Sequence, residues 1–274
     1  MPATPAWPPK SAPRLFVTEE LRPGAGVRIA GNPAHYLARV MRAGVGDTVI
    51  LCDDITGEWA ARVSDVGKRE VALEVVAQLR PREAVPDLWL CPALLKKDRF
   101  DLILEKATEL GAARIQPLIT RRCVADKLNL DRARAITIEA AEQCARTALP
   151  ALAAPVKLDV LLTDWPDDRA LFFADENGGE PAAAVFASLG ESPRRRGPQA
   201  SQHQTDPGPR LRGGSPGPKA AILTGPEGGF DDAERAAIRA HPAARPITLG
   251  PRILRGETAA IAALAVWMAS AGDW

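Results

Sequence analysis

Short apolar-rich runs mark the first third of the chain. Arg14–Val17, Thr48–Cys52, Glu58–Val63 and Val71–Val75 read as strands, and 53–57 reads as a hairpin loop between two of them. One helical stretch interrupts them. Asn32 is placed to cap it, Pro33 suits its first turn, Leu37, Val40 and Met41 form its apolar stripe, and Gly44 follows its end. Several short strands with one helix predict a small β-barrel over 14–83. Pro81 and Pro86 bracket a linker where the pattern changes.

Beyond the linker, strand and helix alternate, which predicts an α/β domain over 84–274 with a largely parallel sheet. Leu88–Leu94, Ile115–Ile119, 170–174 and 220–224 read as buried strands. A helix with Phe100, Ile103, Leu104, Ala107 and Leu110 on one face stops at Gly111. Another, capped by Asp131, runs to about Ala148 with Ile136, Ala140 and Cys144 as its apolar side. The eleven apolar residues Ala259–Ala269 are too few to span a bilayer and read as a buried helix. Ile261, Leu264, Val266, Trp267 and Met268 cannot share one face of it. A helix apolar all round must be covered on several sides, which predicts a homodimer with this helix at or beside the interface.

At 274 residues, two domains are the default, and 46% hydrophobic with 25% charged residues is ordinary for a folded protein. The N-terminal 1–13 is rich in Pro and Ala, reads as a disordered tail, and has no signal-peptide core. Four cysteines lie far apart without zinc spacing, and the three histidines are scattered. The expectation is a cytoplasmic, reduced protein with no metal and no membrane contact. Net charge is +1, but 190–219 carries six basic and two acidic side chains, leaving the rest of the chain at −3. That segment is rich in Pro, Gly, Ser, Gln and Arg and reads as a disordered insertion; any nucleic-acid contact must come from it or from local patches. Gly-x-Gly-x-x-Gly, Walker A and His-Glu-x-x-His patterns are missing, which removes the fingerprints of dinucleotide, P-loop and zinc-protease chemistry.

Three features carry candidate chemistry. Gly225-Pro226-Glu227-Gly228-Gly229 follows a strand and precedes a helix that Asp231 or Asp232 can cap, with Glu234 bonding backward. Its glycines permit close approach of main chain to a ligand at a strand's carboxyl end, although a tight turn would use them equally. Leu249 to Thr258 occupies a like position, and Arg255 and Glu257 there suit either a site or a surface ion pair. Glu139, Glu142, Gln143 and Arg146 share one helical side, the usual mark of a solvated face.

Taken in order, Lys106–Gly111, Glu142–Thr147, Leu223–Phe230 and Leu249–Ala259 resemble the RsmE family, the 16S ribosomal RNA (uracil-N3)-methyltransferases of the SPOUT class. Arg14–Val17 and the His35-Tyr36-Leu37 and Val40-Met41-Arg42 stretches are similar to that family's N-terminal domain. The resemblance covers about 14–274 apart from the insertion. It implies an α/β fold: a C-terminal SPOUT domain with a trefoil knot, preceded by a small PUA-like β-barrel.

It also implies S-adenosyl-L-methionine (SAM) held by Leu223, Thr224, Gly225, Pro226, Glu227, Gly228, Gly229, Leu249, Gly250, Arg252, Ile253, Leu254, Thr258 and Ala259. RNA contacts fall to Arg14, His35, Arg39, Arg42, Arg121 and Arg122. Arg255 and Arg146 become the candidate oxyanion stabilisers, and Glu142 and Glu257 candidate aids to proton removal. The implied partners are 16S rRNA within the small ribosomal subunit and a second copy of the chain. Ala145 and Thr147 stand where the family commonly has Gly and Asn. The alternatives are a related knotted methyltransferase acting on tRNA or another rRNA site, and a non-catalytic RNA-binding assembly factor.

Overall fold

The computed structural model describes residues 12–190 and 217–274. The expected tail at 1–13 and insertion at 190–219 lie almost wholly outside the described residues. Contacts divide the chain into two units. One contains the residues up to Ala84 together with Arg134–Leu149; the other contains Val85–Ala133 and Pro150–Trp274.

In the first unit β1 (Arg14–Phe16), β2 (Gly26–Ala30), β3 (Thr48–Cys52), β4 (Gly57–Val66) and β5 (Glu70–Pro81) form one sheet in the order β1-β3-β4-β5-β2. β1 runs parallel to β3 and the remaining neighbours are antiparallel. Register shifts at three points between β4 and β5 increase the local twist. Inward residues such as Leu15, Val27, Leu51, Trp59, Leu73 and Val75 make the core. The 53–57 hairpin loop is built on buried Asp53, whose carboxylate accepts from the backbone N–H of Leu21 (2.8 Å), Ile55 (2.9 Å), Thr56 (2.7 Å) and Gly57 (3.1 Å). Burial pushes its pKa up, but these bonds outweigh burial and hold it below the usual carboxylate range.

The predicted helix differs in detail. A short α1 (Gly31–His35) is capped by Ala30 without a side-chain bond, so Asn32 is not the cap, and a π-helical turn, Tyr36–Val40, continues it. The wider π turn keeps Leu37 buried but leaves Val40 and Met41 exposed, off the expected stripe. The extra segment 134–149 joins this unit through backbone bonds. Phe16 N donates to Glu142 Oε1 (2.8 Å), Arg80 donates to the Ala145 carbonyl, and Glu83 Oε1 accepts from Thr147 N (2.7 Å) and Ala148 N (3.1 Å). The expected division at 83/84 places that segment in the second domain; these long-range bonds are not visible in periodicity.

In the second unit the described residues form a parallel sheet in the order β12-β14-β11-β13-β6-β7-β9. Its strands are β6 (Leu88–Pro92), β7 (Arg114–Ile115), β9 (Ala151–Leu152), β11 (Ala170–Ala174), β12 (Glu180–Pro181), β13 (Ala220–Thr224) and β14 (Ala244–Thr248). β8 (Leu118–Ile119) and β10 (Val156–Lys157) pair separately. Its helices are α2 (Lys97–Glu109), α4 (Leu158–Thr163), α5 (Ala182–Gly190), α6 (Asp232–Ala240) and α7 (Gly256–Ala271), whereas α3 (Leu130–Cys144) begins here and runs from Arg134 onward in the first unit. Two expectations shift here. Asn129, not Asp131, receives the Arg132 N–H at the start of α3 (3.0 Å), and the helix ends at Cys144 rather than near Ala148. Small residues, Ala133, Ala140 and Ala141, form its buried side, while Cys144 is exposed.

α7 packs against α2, α5, β6 and β13. Leu264, Trp267 and Met268 are buried within their own unit, whereas Ile261 and Val266 are half-buried. Neighbours in the same subunit therefore account for much of the all-round apolar character that predicted a dimer.

Candidate functional site

Three strand ends of the second unit open onto one cavity of about 460 Å³, a size that suits a small cofactor. The first wall follows β13. Gly225 sits tightly against Phe230: a Cβ there would lie 3.0 Å from its ring, so the ring would have to give by a few tenths of an ångström. Phe230 in turn packs edge-on against Phe173 (5.3 Å between ring centroids). Gly229 adopts φ +66°, the left-handed region that favours glycine. Asp231 then caps α6 in the predicted capping box: its side chain accepts from Glu234 N (2.7 Å), and Glu234 Oε2 accepts from Asp231 N (3.1 Å).

The second wall follows β14, with Gly250 at φ +109° and Arg255 as the residue before α7. The third, from the end of β11, comprises Ala174, Asp175 and Glu176. Buried Asp175 accepts from Arg235 and from Arg239 Nε (2.9 Å) and Nη2 (2.6 Å), which ties this strand end to α6.

The cavity brings together most of the predicted cofactor residues: Thr224 to Gly229, Leu249, Gly250, Arg252, Ile253, Leu254 and Ala259, with Arg255 beside them. Leu223 is instead fully buried in β13, and Thr258 is exposed on α7 outside the lining. Glu257 is buried next to Arg99 rather than in the lining (Oε1 to Nε 3.9 Å). Glu142 and Arg146 belong to the first unit. Burial pushes the Glu142 carboxyl up despite its bond from Phe16 N, and burial pulls the Arg146 guanidinium down. The solvated face expected at Glu139, Glu142, Gln143 and Arg146 is thus only partly solvated, because Arg146 is buried beyond the helix end.

The six basic residues assigned to RNA divide as well. His35, Arg39 and Arg42 are exposed around the π turn. Arg14 is committed to Glu58 (Nε 3.0 Å, Nη2 2.6 Å). Arg121 and Arg122 brace the first wall. Arg122 Nη1 donates to the carbonyls of Gly228 (2.9 Å) and Phe230 (3.4 Å), while Arg121 donates from its backbone to Glu234 (2.7 Å) and from Nη1 to Asp231 (3.0 Å).

Sequence reasoning missed Arg99, the β11 strand end and this brace. An available signal for the second was the acidic pair Asp175-Glu176 closing a buried apolar strand before Asn-Gly-Gly. Among the described residues no group of His, Cys, Asp and Glu could hold a metal ion, and no helix is long and apolar enough to cross a membrane.

The second unit is thus a parallel sheet whose strand-end glycine loops line a cofactor-sized cavity, and the first is a mixed five-stranded sheet. Residues 82–268 match the family model described as an RNA methyltransferase domain, and 29–76 match the RNA methyltransferase PUA domain. A ribosomal RNA small subunit methyltransferase E from Synechocystis is 32% identical over 92% of this chain and 76% of its own length. The Rickettsia conorii protein of that name is 28% identical over 92% and 93%. The crystal structure of the Neisseria gonorrhoeae protein of that name, bound to S-adenosyl methionine, superposes with a TM-score of 0.78 at 25% identity, over 96% of this chain and 99% of that one. A Legionella pneumophila protein in complex with SAM gives 0.75 at 28% identity, with the same coverage. The chain belongs to the ribosomal RNA small subunit methyltransferase E family of RNA methyltransferases.

Proposed function

We propose that the protein is a SAM-dependent methyltransferase that methylates N3 of a uridine in 16S rRNA of the small ribosomal subunit, working in the cytoplasm as a homodimer. The observation that carries the reading is the cavity itself. Its lining comes from 174–176, 224–229 and 248–256 at three strand ends, and Gly229 and Gly250 there lie in left-handed backbone without side chains to block a ligand's approach to peptide groups. The bound cofactor would supply an electrophilic methyl group on a positively charged sulfur.

The chain's own task is then to hold a uracil whose N3 has given up its proton to solvent, so that the N3 lone pair takes the methyl group as the sulfur–carbon bond breaks. Arg255, exposed at the cavity edge, is placed to stabilise the negative charge that spreads to the uracil carbonyl oxygens, because a guanidinium stays charged and offers several donors. His35, Arg39 and Arg42, beside half-exposed Tyr36, offer phosphate contacts and a stacking surface for RNA in the first unit. The strand order, with β11 between β13 and β14, supports the knotted connection of the SPOUT class. Half-buried Ile261 and Val266 on α7 and the 87% exposed Ile253 support a contact between copies.

Calorimetry with SAM in the absence of metal, followed by methyl transfer from labelled SAM to small ribosomal subunits, tests the reading. Micromolar SAM affinity and transfer are expected; a folded protein that binds no SAM refutes it.

A further inference from the structure

We propose that Arg99 is a positioning residue that sets the spacing of the two glycine-loop walls by sharing one guanidinium between Glu227 on the first wall and Glu257 on α7, immediately after the second. Taking SAM as the cavity's ligand, this deepens the function proposed above. Arg99 lies in the first turn of α2 and lines the cavity. Its Nη1 is 3.7 Å from Glu227 Oε1 on the first wall, and its Nε is 3.9 Å from Glu257 Oε1 on α7, just beyond the second. Glu227 Oε1 also receives the Lys96 N–H at the start of the same helix (3.4 Å). The second oxygen of Glu257, Oε2, is buried and has no hydrogen-bond partner.

Two carboxylates facing one cation repel each other if the cation is removed, more strongly where water is excluded. A planar guanidinium can engage two acceptors on different edges, which a lysine ammonium does less well. Arg99 thereby holds together, before any ligand arrives, loops that would otherwise have to be ordered by binding. A direct contact between Arg99 and the ligand is the competing role, and charge removal at a second site separates the two. Deleting the Glu257 charge repairs a positioning defect but cannot replace a lost ligand contact.

The experiment compares wild type, Arg99→Gln, Arg99→Lys and the double variant Arg99→Gln/Glu257→Gln, each verified as folded by thermal melting. Amide hydrogen exchange over 225–230 and 250–257 is read in ligand-free protein, and SAM affinity by calorimetry. Arg99→Gln is expected to speed exchange in both loops and to weaken SAM binding about tenfold. The double variant should restore both to within about threefold, with Arg99→Lys intermediate. Unchanged exchange in Arg99→Gln, or no recovery in the double variant, overturns the proposal. A wild type that binds no SAM refutes the cofactor reading instead, while the exchange data still decide the loop-positioning role.

Discussion

Gly256, the first residue of α7, is where the two cofactor walls touch, and replacing it with alanine probes that contact. A Cβ built there lies 3.1 Å from both methyl carbons of Leu95 and 3.2 Å from the carbonyl oxygen of Gly225. Comfortable contacts lie at about 3.5–4.0 Å, so several tenths of an ångström must be found on each side. The Leu95 methyls can rotate away; the Gly225 carbonyl belongs to the first wall and moves only if that loop moves. Overpacking of this kind costs about 1–3 kcal/mol. Replacing glycine in a helix returns up to about 1 kcal/mol, and less in the first turn.

The net expectation is a loss of about 1 kcal/mol, a fall in Tm of roughly 2–4 °C for a protein of this size. Displacing Gly225 should weaken SAM about tenfold, or ~1.4 kcal/mol. Differential scanning calorimetry and SAM titration read the two effects separately. Adding Leu95→Val should recover part of the stability and none of the affinity, since the carbonyl contact persists. A Gly256→Ala protein with unchanged Tm and unchanged SAM affinity would refute the claim that the walls are in register through this glycine.

Arg255→Ala should lower the methylation rate about 100- to 1,000-fold with SAM affinity nearly unchanged; a rate within about threefold of wild type would return Arg255 to a structural role. Arg122→Ala removes the donor to the Gly228 and Phe230 carbonyls. It should weaken SAM about tenfold without loss of RNA affinity, and a loss confined to RNA binding would contradict the brace. Ala145 sits at φ +62°, a left-handed conformation that costs a non-glycine residue about 1 kcal/mol. Ala145→Gly should therefore raise the stability of the first unit, and a lower Tm would count against it. Asp53 and Glu58 both have carboxyls held below their usual range: burial raises each, but hydrogen bonds to Asp53 and the Arg80 and Arg14 bonds to Glu58 outweigh it. A depressed folded-state pKa contributes stability above about pH 4 that is lost as pH falls through the folded value, so the first unit should lose stability in that acid window. Asp53→Asn should flatten the acid limb, and an unchanged profile would refute the assignment.

What was legible in the chain was what is local. The capping box at Asp231 and Glu234 depends on four neighbouring residues, and the glycine loops announce themselves because Gly229 and Gly250 need backbone freedom. Apolar runs located β6, β11 and β13, since strands buried on both faces carry little else. What stayed hidden depends on partners distant in sequence. The bracing bonds of Arg121 and Arg122 to the Asp231 carboxylate and the Gly228 carbonyl join residues more than a hundred positions apart and leave no mark on local spacing. Arg99 is one of many helix-surface arginines until Glu227 and Glu257 converge on it. The π turn shifts Val40 and Met41 off an α-helical stripe by one widened turn, which residue spacing does not disclose.

The central claim is the reaction. Purified small ribosomal subunits lacking the modification should be incubated with the protein and labelled SAM, the 16S rRNA digested, and the labelled nucleoside identified by mass spectrometry against synthetic standards. The predicted product is N3-methyluridine, at one position per subunit. Label on another base or another atom, or on tRNA alone, would contradict the account even if SAM binds as described.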